Sequence, residues 1–203
     1  MVLTVYAVIG DVVGSRKLRD RAAAQDGIVA ALSAVDADVP GVQPLQATLG
    51  DEFQGAYDSL AEATRAALLV RLTLLPGVDV RCGIGWGETT VFDGQRTPVL
   101  QDGPAWWAAR EAVEAMGTAR RTAARTWYVG PEARVPNAHL LCRDALVDRL
   151  SDRGRRMLRL ALLGWSQNQI AEVEGVTKSA VSQQFARGIS AVRDAQDLVG
   201  RTP

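Results

Sequence analysis

The residues of this sequence best suited to binding a ligand or to catalysis are acidic residues beside glycines. Asp51 and Glu52 stand between Gly50 and Gly55 in the stretch TLGDEFQG, and Asp11 follows an apolar run in the stretch IGDVVGSR. Like charges in a tight turn repel one another, so a plain hairpin gains nothing from them. Carboxylates beside a flexible backbone can instead hold a divalent cation near a phosphate group. We predict that Asp11 and Asp51 face one another across neighbouring strands, where they could hold a cation.

The residues around these carboxylates could bind phosphate oxygens. Three of them follow the first carboxylate, at or near the start of the first predicted helix, where backbone N–H groups and a guanidinium can bind phosphate. A solvated turn is the alternative for the acidic pair, and a plain surface charge is the alternative for Arg16. The residues predicted to bind phosphate, which the resemblance described below extends to nucleotide binding, are Gly14, Ser15, Arg16, Gly50 and Glu52.

Strands and helices alternate over residues 1–130 in an order that would position these side chains. The run at 2–9 is apolar and β-branched, as in a central strand buried on both faces. Periodicity and turn residues predict further strands at 45–49, 53–57, 78–84 and 125–129, and helices at 18–35, 59–75, 104–116 and from about 140. Glycines at 83–87 are predicted to end the fourth strand. The order β-α-β-β-α-β-α-β predicts an α/β (α+β) domain of ferredoxin-like type with an added helix and strand.

Residues 149–203 differ in character from the rest of the chain. Ser151 and Asp152 can cap a helix at 152–164. Ala171, Gly175 and Val181 then have helix-turn-helix spacing, in which a small residue, a strained turn and a buried anchor follow one another. We predict an all-α helix-turn-helix domain here, with an orphan pair of packing helices as the alternative.

The second helix of this unit carries side chains of the types that reach phosphates and base edges in a major groove. Residues 151–203 contain eight Lys and Arg against five Asp and Glu, a balance that suits a polyanion such as DNA. One such unit binds weakly, so we expect a homodimer. The predicted DNA-binding residues are Thr177, Lys178, Ser179, Ser182, Gln183 and Arg187.

The composition of the chain limits the classes of protein to which it can belong. The chain has 203 residues, 47% hydrophobic and 23% charged, so it can bury a core. No apolar run approaches the roughly 18–20 residues that span a bilayer, and the N-terminus lacks a signal peptide, so we expect a cytoplasmic protein without a membrane partner. Cys82 and Cys142 have neither disulfide nor zinc-site spacing. His139 has no partner motif and is predicted to lie in a loop, which disfavours reactions that need an imidazole base.

Several motifs occur together in an order typical of one protein family. They are IGDVVGSR, LGDEFQG, RCGIGWGE and DGPAWWAAREAV, followed by the helix-turn-helix spacing. In these motifs the chain resembles the SatD family over nearly its whole length. The resemblance assigns a family but does not imply a particular reaction.

Four shorter segments point to a more distant relationship. They are DVVGS at 11–15, LGD at 49–51, RCGIGWG at 81–87 and AAR at 108–110. These are similar to segments of the nucleotidyl cyclase superfamily, which includes the class III adenylyl and guanylyl cyclases and the GGDEF diguanylate cyclases. The resemblance implies metal-binding roles for Asp11 and Asp51. It also implies a catalytic role for Arg110, which would balance charge on a transferred phosphoryl group.

Two positions depart from the cyclase pattern. Ala47 stands four residues before Asp51, where cyclases that select adenine or guanine have Lys, and Trp106 stands four residues before Arg110, where they have Asn. These departures favour binding of metal and triphosphate over base selection and turnover. Trp106 and Trp107 are adjacent and therefore point to different sides of a helix, one towards the core and one towards solvent, where it could stack on a base.

The favoured interpretation is a DNA-binding transcriptional regulator with two parts. A cyclase-like domain at 1–148 would sense a nucleoside triphosphate or related ligand through Mg²⁺ or Mn²⁺, and a helix-turn-helix domain at 149–203 would bind DNA. One alternative is an active nucleotidyl cyclase or related nucleotidyltransferase that its helix-turn-helix targets. Another is a degenerate cyclase fold that acts only as a dimerisation scaffold.

Overall fold

A computed structural model of the chain describes residues 2–18, 20–48, 50–94, 96–118 and 123–199. Its strands are β1 (Val2–Val12), β2 (Gln43–Ala47), β3 (Glu52–Tyr57), β4 (Val80–Asp93), β5 (Leu100–Asp102) and β6 (Thr126–Val129). Its α-helices are α1 (Arg21–Asp38), α2 (Leu60–Leu74), α3 (Pro104–Met116), α4 (Arg134–Arg149), α5 (Asp152–Leu162), α6 (Gln167–Val173), α7 (Lys178–Gln184) and α8 (Ser190–Val199).

The strands of the described residues form one mixed sheet. The order is β2-β3-β1-β4-β5, with β6 also paired to β4. Only the β4–β6 pairing is parallel among these, and the other neighbours are antiparallel. The chain is therefore a mixed α/β structure, as the sequence predicts, and β1 lies inside the sheet between β3 and β4.

Alternate residues of β1 enter two different hydrophobic layers. Val8 belongs to the larger core, which α1 and α2 cover with residues such as Leu32 and Leu68. Ile9 belongs to a smaller layer beneath α3, together with Ala109. This alternation follows from the two-residue period of a strand. Asp11 has the same parity as Ile9 and so lies on the α3 face.

Glycines in β4 correct one of our predictions, because they lie inside the strand rather than at its end. A methyl group on Gly83 would lie 2.3 Å from the carbonyl oxygen of Ala109, and one on Gly85 would lie 2.2 Å from that of Ala105. The glycines therefore let α3 approach the sheet more closely than any side chain would allow. They set the distance between the helix and the strand that it covers.

Other predictions of element boundaries also need correction. The predicted loop before α3 contains most of the extension of β4 and all of β5. Helix α4 begins at Arg134 rather than near residue 140, and His139 is a half-buried residue of this helix rather than of a loop. Cys82 is buried as predicted, and burial raises the pKa of its thiol.

The C-terminal helices share the larger core with the sheet. Met157, Ile170 and Ile189 belong to the same hydrophobic cluster as Val8 of the central strand. Helix α2 packs against both α5 and α8. Within the described ranges, no helix is long and apolar enough to cross a membrane.

Candidate functional site

Three strand ends bring the predicted acidic residues together. Asp11 lies opposite Glu52 of β3 on one side and opposite Arg81 of β4 on the other. Asp51 occupies the turn just before β3, where Gly50 has a left-handed backbone with φ of 74°. The prediction of neighbouring strands is therefore right, but the residue that faces Asp11 across the ladder is Glu52 and not Asp51.

Two arginines neutralise part of this acidic group. Arg81 donates to both oxygens of Asp11, from Nε at 2.7 Å and from Nη2 at 2.7 Å. Arg110 donates from Nη1 and Nη2 to the two oxygens of Glu52, at 2.6 and 2.8 Å. Both contacts are two-point guanidinium–carboxylate pairs, the geometry in which such pairs are strongest. The resemblance to cyclases implies a transition-state role for Arg110, and in this structure its hydrogen-bonded partner is a strand residue, Glu52.

The pKa values of the arginines show how closely the charges are grouped. The hydrogen bond to Asp11 raises the pKa of Arg81, and Asp51 adds to this effect. The hydrogen bond to Glu52 raises the pKa of Arg110, with smaller contributions from Glu114 and then Asp11. Three carboxylates therefore share two guanidinium groups, so the cluster keeps one net negative charge. We call these five residues the charged cluster.

Asp51 is the member of the charged cluster that is free to bind a ligand. It makes no hydrogen bond or ion pair with any residue that the structure describes, and it is half-buried. An unpaired carboxylate oxygen is a suitable donor for Mg²⁺ or Mn²⁺. Its donor chemistry therefore fits the cation that we predict for Asp11 and Asp51.

These two carboxylates would not hold a cation alone. Across the described part of the chain, no group of three or more His, Cys, Asp or Glu side chains is placed to bind a metal. Mg²⁺ usually keeps several waters and completes its shell with one or two carboxylates and with substrate phosphates. Asp51 offers one such carboxylate, whereas both oxygens of Asp11 accept from Arg81, so a cation bound there would compete with that pair.

The predicted phosphate-binding residues after β1 lie apart from the first α-helix. Gly14 has a left-handed backbone with φ of 70°, and a short 3-10 turn, Ser15–Lys17, follows it. Helix α1 begins only at Arg21, and the carboxylate of Asp20 caps its N-terminus by accepting from the N–H of Ala23. The prediction that these residues lie at or near the start of the first helix is therefore wrong. That helix begins at Arg21, and its N-terminus is already capped by the carboxylate of Asp20. Arg16 is exposed on the turn before it.

A cavity of about 460 Å³ continues from the charged cluster along the α3 face of the sheet. Arg110 belongs to the charged cluster and also lines this cavity. The lining residues are Ile9, Gln54, Gln101, Trp106, Trp107, Arg110, Glu111 and Glu114. Sequence reasoning missed Gln54 and Gln101. A signal for Gln54 was present, because it stands two residues after Glu52 in a strand and must share its face.

The two tryptophans point to different sides of α3, as predicted. Trp106 is 7% exposed, and its indole Nε1 donates to the hydroxyl oxygen of Thr89 at 2.9 Å. Trp107 is 62% exposed, and its Nε1 donates to Asp102 Oδ1 at 2.7 Å. One ring therefore belongs to the core, and the other is held in a fixed orientation at the surface.

Two short helices, α6 and α7, occupy the region with helix-turn-helix spacing. Ala171 and Val181 are buried, and Gly175 between the helices has a φ of 63°. Glu174 in this turn receives two hydrogen bonds from Arg156 of α5. After α7 the backbone passes through a π-helical segment with a kink at Gly188, so α8 leaves in a new direction. Assignment of this pair to DNA binding stays a prediction.

The six predicted DNA-binding residues are all exposed. Thr177 has a second role, because its hydroxyl oxygen accepts from the N–H of Ala180 and caps α7. Lys178 and Arg187 form no ion pair with any described residue. The exposed positions are Thr177, Lys178, Ser179, Ser182, Gln183 and Arg187.

Comparison with solved structures defines the class of fold. Two structures, each described as a bacterial light-regulated adenylyl cyclase, superpose on the chain. The first has a TM-score of 0.51 at 9% identity and covers 63% of this chain and 43% of that chain. The second has a TM-score of 0.52 at 12% identity and covers 64% of this chain and 44% of that chain. At such low identity the similarity shows a cyclase-like fold alone, and this chain spans less than half the length of either structure.

The family follows from a match to the sequence itself. A family profile described as the SatD family matches residues 5–121, which is more than half of the chain. The chain belongs to the SatD family, as its motifs predict. The matched range contains the charged cluster and ends before α4, so it does not include α6 and α7. No curated protein matches the sequence.

Proposed function

We propose that the chain is a DNA-binding transcriptional regulator whose cyclase-like domain binds a nucleoside triphosphate together with Mg²⁺ or Mn²⁺. The domain at 1–148 would be ferredoxin-like, which the antiparallel order β2-β3-β1-β4 supports. The unit at 149–203 would be the helix-turn-helix, and the active form would be a homodimer. The observation that carries the proposal is the charged cluster, in which Asp51 is left unpaired near Arg81.

The charges of the cluster suit a metal–triphosphate ligand. A cation bound by Asp11 and Asp51 would offset the net negative charge and supply electrostatic attraction for phosphate oxygens. Arg81 and Arg110 are guanidinium donors within the same group, and their present carboxylate partners hold them in place. A phosphate can accept the same two-point hydrogen bonds as a carboxylate.

Two positions favour binding over turnover. Trp106 stands where cyclases have a polar Asn, and here its side chain is buried and bonded to Thr89. Ala47 stands where they have a base-selecting Lys, and its methyl group packs against the hydrophobic core. Neither residue can supply the polar contact that the corresponding cyclase residue makes. A nucleotidyl cyclase or a bare dimerisation scaffold are the alternatives.

Replacing Asp51 with asparagine tests the nucleotide site. We expect Mn²⁺-dependent binding of nucleoside triphosphate to weaken by roughly tenfold or more, because the substitution removes one of two anionic metal ligands. Titration calorimetry with each of the four triphosphates, with and without Mn²⁺, measures this. Asp26→Asn, on the exposed side of α1, is the control and should bind like the wild type.

The same samples distinguish the proposed sensor from an enzyme and from a dimerisation scaffold. Release of pyrophosphate from any triphosphate would establish an enzyme and contradict a purely sensing role. Absence of triphosphate binding in the wild-type protein would favour the alternative in which the cyclase-like fold acts only as a dimerisation scaffold.

Single substitutions in α7 and just after it test the DNA role. We expect Lys178→Ala and Arg187→Ala each to weaken retention of duplex DNA and to reduce the salt dependence of the binding constant by about one phosphate contact. Fluorescence anisotropy at several salt concentrations measures both quantities. Arg134→Ala, an exposed residue of α4, is the charge-matched control. Unchanged affinity in both α7-region variants would remove this segment from any DNA interface.

A further inference from the structure

We propose that the chain has a second ligand site, which binds a lipophilic organic cation such as an alkyl quaternary ammonium ion. The site lies on the face of the sheet that is opposite to the charged cluster. Asp11 lies on the α3 face of β1, whereas Tyr6 has the parity of Val8 and so packs on the face that α1 and α2 cover. A cavity of about 550 Å³ opens on that face, and we call it the aromatic cavity. Its lining includes Tyr6, Trp86, Tyr128, Glu132, Val135 and Pro136.

Three aromatic rings from three neighbouring strands line the aromatic cavity. Tyr6 of β1 lies directly opposite Trp86 of β4, and the ring centroids of Tyr6 and Tyr128 are 6.1 Å apart. Trp86 is 40% exposed, so its indole is accessible to a ligand. The faces of Trp and Tyr rings attract a cation that lies within about 6 Å of the ring centroid, and Trp attracts it most strongly. The rings therefore favour a cationic group over a neutral group of the same shape.

The turn after β6 shapes one wall of the aromatic cavity. A methyl group on Gly130 would lie 2.2 Å from the phenolic oxygen of Tyr128, so the glycine lets this ring lie against the strand. Glu132 has a left-handed backbone with φ of 51°, and it is the one residue other than glycine with a positive φ in the described part of the chain. Such strained residues persist where their surroundings impose the conformation, and they cluster at ligand sites.

The charges around the aromatic cavity are complementary to a cation. Among the described residues, Glu132 is the one charged residue of the lining, and it forms no ion pair with any of them. Glu88 adds a second exposed carboxylate, two residues beyond Trp86 and on the same face of β4. Aromatic rings with unpaired carboxylates beside them match an organic cation, which combines positive charge with apolar surface.

An apolar cleft adjoins the aromatic cavity and is suited to a hydrocarbon tail. It has a volume of about 230 Å³ and shares Leu60, Val135 and Pro136 with the aromatic cavity. His139 also lines the cleft, but burial and the nearby charge of Arg143 lower the pKa of its imidazole, so it is uncharged at neutral pH. The guanidinium of Arg143 is itself paired with a carboxylate. A cationic head between the rings and a tail in the cleft would each meet a surface of matching polarity.

Choline tests the aromatic part of the site against a neutral analogue that has a tert-butyl group in place of trimethylammonium. Binding to the full chain is measured from the broadening of the ligand methyl resonance, and the indole N–H resonance of Trp86 locates it. We expect choline to bind roughly tenfold more tightly than the analogue. In Trp86→Leu this preference should fall to about threefold or less. Trp165→Leu is the matched control, because Trp165 is 39% exposed and lies between α5 and α6, and it should keep the preference.

An alkyltrimethylammonium series from ethyl to hexyl tests the apolar cleft. Each methylene that enters the cleft should raise the affinity by about threefold to fourfold. Alkyl sulfonates of the same length carry the opposite charge and should not bind. Glu132→Gln should weaken every cation by roughly threefold and leave the neutral analogue of choline unaffected. Glu172→Gln, an exposed residue of α6, is the control for this loss of charge.

Each outcome supports or overturns the cation site. Equal binding of choline and its neutral analogue by the wild type would overturn it, and so would the absence of a Trp86 shift with any alkylammonium ion. Unchanged preferences in both Trp86→Leu and Glu132→Gln, with folding checked by thermal unfolding, would also contradict it. Loss of self-association in Trp86→Leu, measured by sedimentation, would assign the aromatic cavity to a second copy of the chain instead. The triphosphate and DNA experiments involve other residues, so their results are independent of these.

Discussion

Replacing Arg143 with leucine is expected to lower the free energy of unfolding by about 3–5 kcal/mol, the usual cost of leaving one partner of a buried ion pair uncompensated. Arg143 is 2% exposed and Asp144 is 1% exposed. Their side chains are in contact, at 3.2 Å between Nη2 and Oδ1. Leucine fills part of the space but leaves the neighbouring carboxylate in the interior without its guanidinium.

The expected loss of stability is large because Arg143 also donates hydrogen bonds to acceptors on three other elements. It donates to the carbonyl oxygen of Thr64 on α2, to the hydroxyl of Thr126 on β6 and to the carboxamide oxygen of Gln196 on α8. Gln196 in turn donates to the hydroxyl of Thr64 at 2.9 Å. Loss of the guanidinium removes a donor from the hydroxyl of Thr126 and from the carboxamide oxygen of Gln196 in the interior, which adds to the cost.

Equilibrium unfolding in urea, followed by circular dichroism, measures the change. Arg153→Leu is the matched control, because that side chain is 58% exposed and its contact with Glu174 is 3.9 Å long. Glu174 keeps its two hydrogen bonds from Arg156 in this variant, and a long contact with an exposed guanidinium contributes at most about 1 kcal/mol. A similar small loss for both variants would mean that the Arg143 network does not stabilise the protein.

This network bears on how the two proposed functions could communicate. Helix α8 follows the α6–α7 pair directly, and Gln196 ties it to α2 beneath the sheet. The α6–α7 pair therefore shares the hydrophobic core of the cyclase-like part through Ile170 and Val181, and the polar contacts with that part come from α8. A ligand-dependent change in that part would be transmitted through packed elements and not through a flexible linker.

The sequence predicted the elements of the fold where periodicity was clear. Helix α3 begins and ends at the residues predicted for it, Pro104 and Met116, because a proline in the first turn and an apolar stripe mark it well. Strand β4 was predicted too short, since isolated glycines usually indicate a turn. Their actual role depends on a helix that packs against them from a distant part of the sequence, which no local pattern reveals.

The candidate site was predictable in its residues but not in its pairings. Asp11, Asp51 and Glu52 stood out by type and by neighbouring glycines, and Arg110 stood out by its resemblance to a cyclase segment. That Asp11 would pair with Arg81, and Glu52 with Arg110, depends on the register of β1 against β3 and β4. A shift of one residue would send every one of these side chains to the other face. Gln54 lies within the LGDEFQG motif and shares the face of Glu52, whereas Gln101 belongs to no motif and was revealed only by the pairing of β5 with β4.

The second large effect concerns the close packing of α3 on the sheet. Gly85→Ala should destabilise the protein by roughly 3 kcal/mol or more, at or beyond the upper end of the usual cost of overpacking. The new methyl group would lie 2.2 Å from the carbonyl oxygen of Ala105 and 2.2 Å from the backbone nitrogen of Ala109. Backbone atoms cannot rotate away as a side chain can, so α3 must move as a unit. Arg110 would then move relative to Glu52.

Gly27→Ala provides an unusually close control for this prediction. Gly27 lies within α1, and a methyl group there would meet no atom within 4 Å. Alanine in a helix interior is favoured over glycine by about 0.5–1 kcal/mol, so this variant should be more stable than the wild type. Urea unfolding of both variants therefore gives changes of opposite sign for the same added methyl group. If Gly85→Ala were neutral or stabilising, α3 could not be held as close to β4 as the structure places it, and the positions of Arg110 and Trp107 relative to the sheet would need revision.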